Sequence, residues 1–166
     1  MALARAGDSA GAQAVADNVA KSFQLHRLVL GDWLPAIRAA IEISRGNPAR
    51  AIEVLQVTSR VDPNQLLGDH RRAILYASYL RGLAYLLQNQ GGEAGREFQK
   101  ILDQRRFQAY EPEAALARLG LARAYALKGD RGRAQAKYQD FLTLWKDADP
   151  DIPILKEAKA EYAKLQ

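Results

Sequence analysis

The chain has 166 residues, 48% of them hydrophobic, a net charge of +5 and no cysteine. That length holds one ordinary domain or one short array of stacked helices, and the lack of cysteine excludes disulfides, thiol chemistry and the commonest zinc sites. No run approaches the ~18 apolar residues of a membrane span, and the N-terminal MALARAGDSAGAQAVADNV lacks the apolar stretch of a secretory leader, so the expectation is a cytoplasmic chain, the alternative being an extracytoplasmic one if a parent protein has a membrane span.

Apolar residues recur at three- and four-residue spacing among alanine, leucine, arginine, glutamine and glutamate, so nearly everything reads as helix. No segment alternates with period two between hairpin turns, which argues against strands. In chain order, residues 2–5 read as the tail of a helix and Gly7-Asp8 as its turn, with Ala12 and Ala16 on the helix that follows. A helix from Asp32 stops at Gly46; Asn47 is the expected N-cap and Pro48 the first residue of the next helix. Residues 61–69 read as non-helical, as do 104–111. Between them two helices meet at a turn marked by Gly91-Gly92. Pro112 opens a helix that turns at Gly129-Asp130, Pro150 closes its successor, and Asp151 is placed to cap a last helix over 152–165.

One pattern occurs twice, forty residues apart: Gly82, Tyr85, Ala94 and Phe98 match Ala122, Tyr125, Ala134 and Tyr138. A weaker copy, with Ala39, Ala51 and Leu55, lies forty-three residues upstream. A fixed period of this size signals stacked helix pairs. The small residues let two helices approach to roughly 8–10 Å, and Tyr85, Phe98, Tyr125 and Tyr138 are expected to fill the core. The last helix shows Ile154, Leu155, Ala158, Tyr162 and Leu165 on one face and Lys156, Glu157, Lys159 and Glu161 on the other, the make-up of a solvating cap.

This spacing resembles the tetratricopeptide repeat. The third copy, with LARAYALKGDRGRAQAKYQDFL at its centre, matches best: Leu121, Ala122, Tyr125, Gly129, Ala134, Tyr138 and Phe141 fall on motif positions. The resemblance implies an all-α, right-handed α-α superhelix of antiparallel helix pairs: a partial repeat over 1–24, repeats over 26–60, 70–105 and 112–148, and a capping helix over 151–166. It implies a protein or peptide as partner, no cofactor or metal and no catalytic residue. It also implies a concave groove lined by Trp33, Ala36, Ala40 and Ile43, then Tyr76, Tyr79, Leu83 and Leu86, then Leu116, Leu119, Arg123 and Ala126. Segments such as WLPAIRAAIEISRGNPARAIEVLQ look like the C-terminal tetratricopeptide region of certain bacterial serine/threonine protein kinases, with related segments behind winged-helix regulators. The alternative to a free scaffold is therefore a signalling arm that packs on a kinase or DNA-binding domain of a parent protein. No glycine-rich nucleotide loop, His-Arg-Asp or Asp-Phe-Gly motif is present.

Arg38 and Arg81 occupy the same motif position, normally leucine; both are expected to be buried stems with paired heads, Arg38 on Glu42. Residues 118–137 carry six basic residues against one acid, a surplus equal to the +5 of the whole chain. That run reads as a solvated outer face able to steer an acidic partner. Nucleic acid is disfavoured because no stacking aromatics are interleaved with it. His26 and His70 lack neighbours at metal or nucleophile spacing.

Overall fold

Among the described residues the chain reverses four times through one and the same hydrogen-bonded turn. Gly7, Gly46, Asn89 and Gly129 hold φ of 87°, 76°, 57° and 74°, the left-handed region where glycine and asparagine are tolerated best. The amide after each reaches back over the helix end: Asp8 to Leu3 O (2.9 Å), Asn47 to Glu42 O (2.8 Å), Gln90 to Tyr85 O (2.9 Å) and Asp130 to Tyr125 O (3.0 Å). This closure satisfies carbonyls the helix would leave bare. A new helix starts at once, so neighbours fold back on each other.

The computed structural model describes residues 2–24, 26, 29–60, 68–104 and 112–166, and all regular structure among them is helical. The elements are α1 (Ala2–Arg5), α2 (Ser9–Ser22), a π-helical turn (Val29–Trp33), α3 (Leu34–Ser44), α4 (Pro48–Val54) prolonged by a 3-10 turn (Leu55–Arg60), α5 (Gly68–Leu87), α6 (Gly91–Leu102), α7 (Pro112–Leu127), α8 (Arg131–Leu144) and α9 (Pro153–Ala163). Each helix packs on a sequence neighbour, and α1, α3, α5 and α7 also touch in a row. No helix among the described residues is long and apolar enough to cross a membrane.

The expected boundaries need several corrections. Gly91 and Gly92 open α6 rather than form its turn, which falls at 88–90. Asp8 and Asp130 cap as the sequence suggests, accepting from Gly11 N (2.8 Å) and Arg133 N (3.1 Å). Asn47 occupies a cap position, but its side chain donates instead to Glu42 Oε2 (3.1 Å). Asp151 does not cap α9; Ile152 stands there, and Asp151 takes the Lys156 ammonium at 2.7 Å. Gly68 and Asp69 are already helical. The rest of the two expected loops, 61–67 and 105–111, lies outside the described residues.

Packing centres on one ring. Phe98 of α6 is fully buried. A Cβ on Gly82 of α5 would sit 2.7 Å from its Cε1 and Cζ, and one on Gly120 of α7 would press on the same ring closer still. Ala94, Ala122 and Ala134 are likewise fully buried. Tyr138 and Phe141 join Leu119, Ala122, Leu155 and Ala158 in a second cluster between α7, α8 and α9. Tyr85 and Tyr125 are half-buried and pack against the edge of the first cluster rather than at its centre. Tyr125 also carries the Arg133 guanidinium over its ring at 4.6 Å.

The two matched arginines part company. Arg81 is buried. Its Nε donates to Glu97 Oε2 (3.0 Å), Nη1 to Thr58 Oγ1 (2.7 Å) and Leu55 O (3.3 Å), and Nη2 to Ser78 Oγ (3.0 Å). These bonds tie the 3-10 turn, α5 and α6 together. Arg38 is exposed, contrary to expectation, and Glu42 pairs with Arg45 (3.2 Å) and Asn47 rather than with Arg38.

Candidate functional site

The C-terminal ends of α5 and α7 enclose an open hollow of about 400 Å³, lined by Leu86, Arg123, Ala126, Leu127 and Tyr138. Arg123, Ala126 and Leu127 share one helical face because they stand three and four residues apart. Leu127, a large apolar side chain at the rim, is 45% exposed.

The polar residues of the lining, Arg123 and Tyr138, are held from behind by α9. Arg123 Nε donates to Glu161 Oε2 (2.9 Å), and its Nη2 to Glu161 Oε1 (2.9 Å) and Glu157 Oε2 (3.2 Å). The Glu161 contact is a forked, two-bond grip, the stronger form of such a pair. Tyr138 OH donates to the same Glu161 Oε2 at 2.8 Å. Burial disfavours the charge on Arg123, but the hydrogen bonds and charge of Glu161 outweigh it and hold the guanidinium above its ordinary value. Burial first, and then the bond to Glu161, push the Tyr138 phenol well above its ordinary value. The neutral phenol therefore stabilises the fold at pH values below its unfolded pKa of about 10, and that contribution is lost as pH rises through the higher folded value. Urea unfolding between pH 9 and 11 is expected to show stability falling with pH in the wild type. The fall should be shallower in Tyr138→Phe, by at most about 1.4 kcal/mol per pH unit; equal slopes would refute the assignment.

Of the residues expected to line a groove, Leu86 and Arg123, with Ala126, come together here. Tyr76, Tyr79 and Leu119 do not line an open groove: they are 8%, 3% and 1% exposed and belong to the core. Tyr79 packs on Tyr76 and Phe98 with ring centroids 6.1 Å apart in each pair. Ala36 and Ala40 are buried as well. Ile43, Leu83 and Leu116 are half-buried against the core, and Trp33 is half-buried in the π-helical turn, away from the hollow. Leu127 and Tyr138 complete the lining, and Glu157 and Glu161 hold Arg123 in it, none of them having been assigned to the site from sequence. A signal for Leu127 existed, since Leu86-Leu87 and Ala126-Leu127 hold matched places at the two helix ends.

Lys128, Arg131 and Arg133 of the basic run are exposed, as a solvated face requires, while Arg118 and Arg123 are partly buried. Arg123 grips α9, Arg131 Nε donates to Leu165 O (2.6 Å), and Gln135 donates to the same carbonyl. Arg118 donates to Ala114 O (3.0 Å), Lys137 pairs with Asp140 (2.6 Å), and Arg133 pairs with Asp130. Lys128 and Arg133 line a second hollow of about 230 Å³ with Arg96 and Tyr125, where Glu93 and Asp130 already answer two of the three cations. His26 Nδ1 accepts weakly from Val29 N (3.4 Å), and His70 meets Asp32 at 2.8 Å across α5 and the π-helical turn. Among the described residues no group of histidine, cysteine and carboxylate side chains could hold a metal ion. No protein-family model matches the chain, and neither the curated proteins nor the solved structures contain a match to it.

Proposed function

We propose that the chain is a non-catalytic scaffold of tetratricopeptide type, its helix pairs winding as a right-handed superhelix, and that it binds a peptide or protein segment through the hollow at the ends of α5 and α7. The repeated turn and the Phe98 contact support the repeat reading. The binding reading rests on one observation: Leu86 and Ala126, at equivalent places in successive pairs, open together with the exposed Leu127 onto an unfilled apolar hollow. Such hollows accept apolar side chains of amphipathic helices or extended segments.

Peptides selected by display against the whole chain provide the test. Leu127→Ser should weaken them about tenfold, the value of losing roughly 1.5 kcal/mol of apolar burial, while the circular dichroism melt stays near that of the wild type because Leu127 is half out in water. Undiminished affinity in Leu127→Ser would overturn this site.

A further inference from the structure

Resting on the reading just given, we infer that the hollow takes a basic amphipathic segment: an apolar side chain against Leu86, Ala126 and Leu127, with a lysine or arginine beside it on Glu157. Arg123 alone would point to an acidic ligand, but α9 has already answered it. Its Nε and Nη2 are committed to Glu161 and Glu157, and the three side chains together leave one negative charge in excess. Both oxygens of Glu161 are engaged, by Arg123 and the Tyr138 hydroxyl. Glu157 is the spare group: its side chain is 62% exposed and a single oxygen is engaged, at 3.2 Å.

An incoming carboxylate would find Arg123 Nε and Nη2 engaged, only Nη1 open to it, and Glu157 repelling it, whereas an ammonium or guanidinium would pair with Glu157. The other charges of α9 do not cancel this. Lys156 is drawn to Asp151 at 2.7 Å. Lys159, two residues from both Glu157 and Glu161, projects from the opposite side of the helix. Lys164 shares the side of Glu157 but stands roughly 10 Å further along the axis, about a Debye length at physiological salt.

The probes are a synthetic helical peptide with leucines along one face flanked by lysines, and its twin with glutamates in place of the lysines. Each is titrated against the full chain by fluorescence anisotropy. The lysine peptide should bind roughly 1.5- to fivefold tighter than its twin, the range an exposed ion pair supplies, although the chain as a whole is +5 and would by itself favour the twin. Glu157→Gln should abolish the preference with no change in melting temperature, and Leu127→Ser should weaken the lysine peptide. If the twin binds tighter, or the preference survives Glu157→Gln, while Leu127→Ser still weakens binding, the hollow stands and the charge inference falls. If neither peptide binds, or Leu127→Ser changes nothing, both fall.

Discussion

Arg81→Met is expected to lower the free energy of unfolding by about 3 kcal/mol or more, because it strands a buried carboxylate. The side chains of Arg81 and Glu97 are 5% and 10% exposed and meet at 3.0 Å. Lys100, at 2.6 Å from Glu97 and about half exposed, offsets part of the loss, so the effect belongs at the lower end of the ~3–5 kcal/mol range for broken buried pairs. The double variant Arg81→Met with Glu97→Met should recover most of the deficit, since replacing both charges with apolar groups of similar volume is often neutral. Arg38→Met, at the matched position of the preceding helix pair, should stay within about 0.5 kcal/mol because that side chain is exposed. Urea denaturation checks all three, the midpoint shifting with little change of slope. A double variant as unstable as Arg81→Met would mean that the loss arises elsewhere in the network.

Phe98→Ala is expected to cost about 3–5 kcal/mol, as truncation of a fully buried aromatic does. The sharper consequence concerns Gly120. In the wild type, Gly120→Ala drives a methyl into the Phe98 ring and should cost about 1–3 kcal/mol. In the Phe98→Ala background the obstruction is gone, and alanine is the better helix former by roughly 0.5–1 kcal/mol, so the same substitution should become neutral or stabilising. Gly82→Ala should reverse in the same way, since its added Cβ meets the same ring at 2.7 Å. Additive effects in the two backgrounds would refute the account of this contact.

Residues 82 and 98 were legible as a small residue and a core aromatic of one helix pair because the pattern recurs at 122 and 138; that they touch was not. Nor was Gly120, because it meets Phe98 from the next pair, and a comparison of copies within the sequence does not see contacts between them. The same limit hid α9. Glu157 and Glu161 read as a solvated face until Arg123, more than thirty residues earlier in the chain, is brought against them. Arg38 and Arg81 share a motif position yet differ in burial, and the cause is written one helix on. Sixteen residues beyond Arg81 stands Glu97; sixteen beyond Arg38 stands Val54, which offers no charge. Leaving a charge in the core without a partner costs more than leaving the arginine in water, so Arg38 stays outside. Tyr76 and Tyr79 show the converse failure. The repeat resemblance put them on an inward face, but whether an inward face is open or filled depends on neighbours that a repeat motif does not specify.

Methyl NMR of the chain titrated with the leucine–lysine peptide tests the central claim most directly. The account predicts shifts at the Leu86, Ala126 and Leu127 methyls, with Val15, Val57 and Leu144, which are 50%, 57% and 58% exposed, unmoved. Shifts at Val15, Val57 or Leu144 with Leu86, Ala126 and Leu127 silent would contradict it.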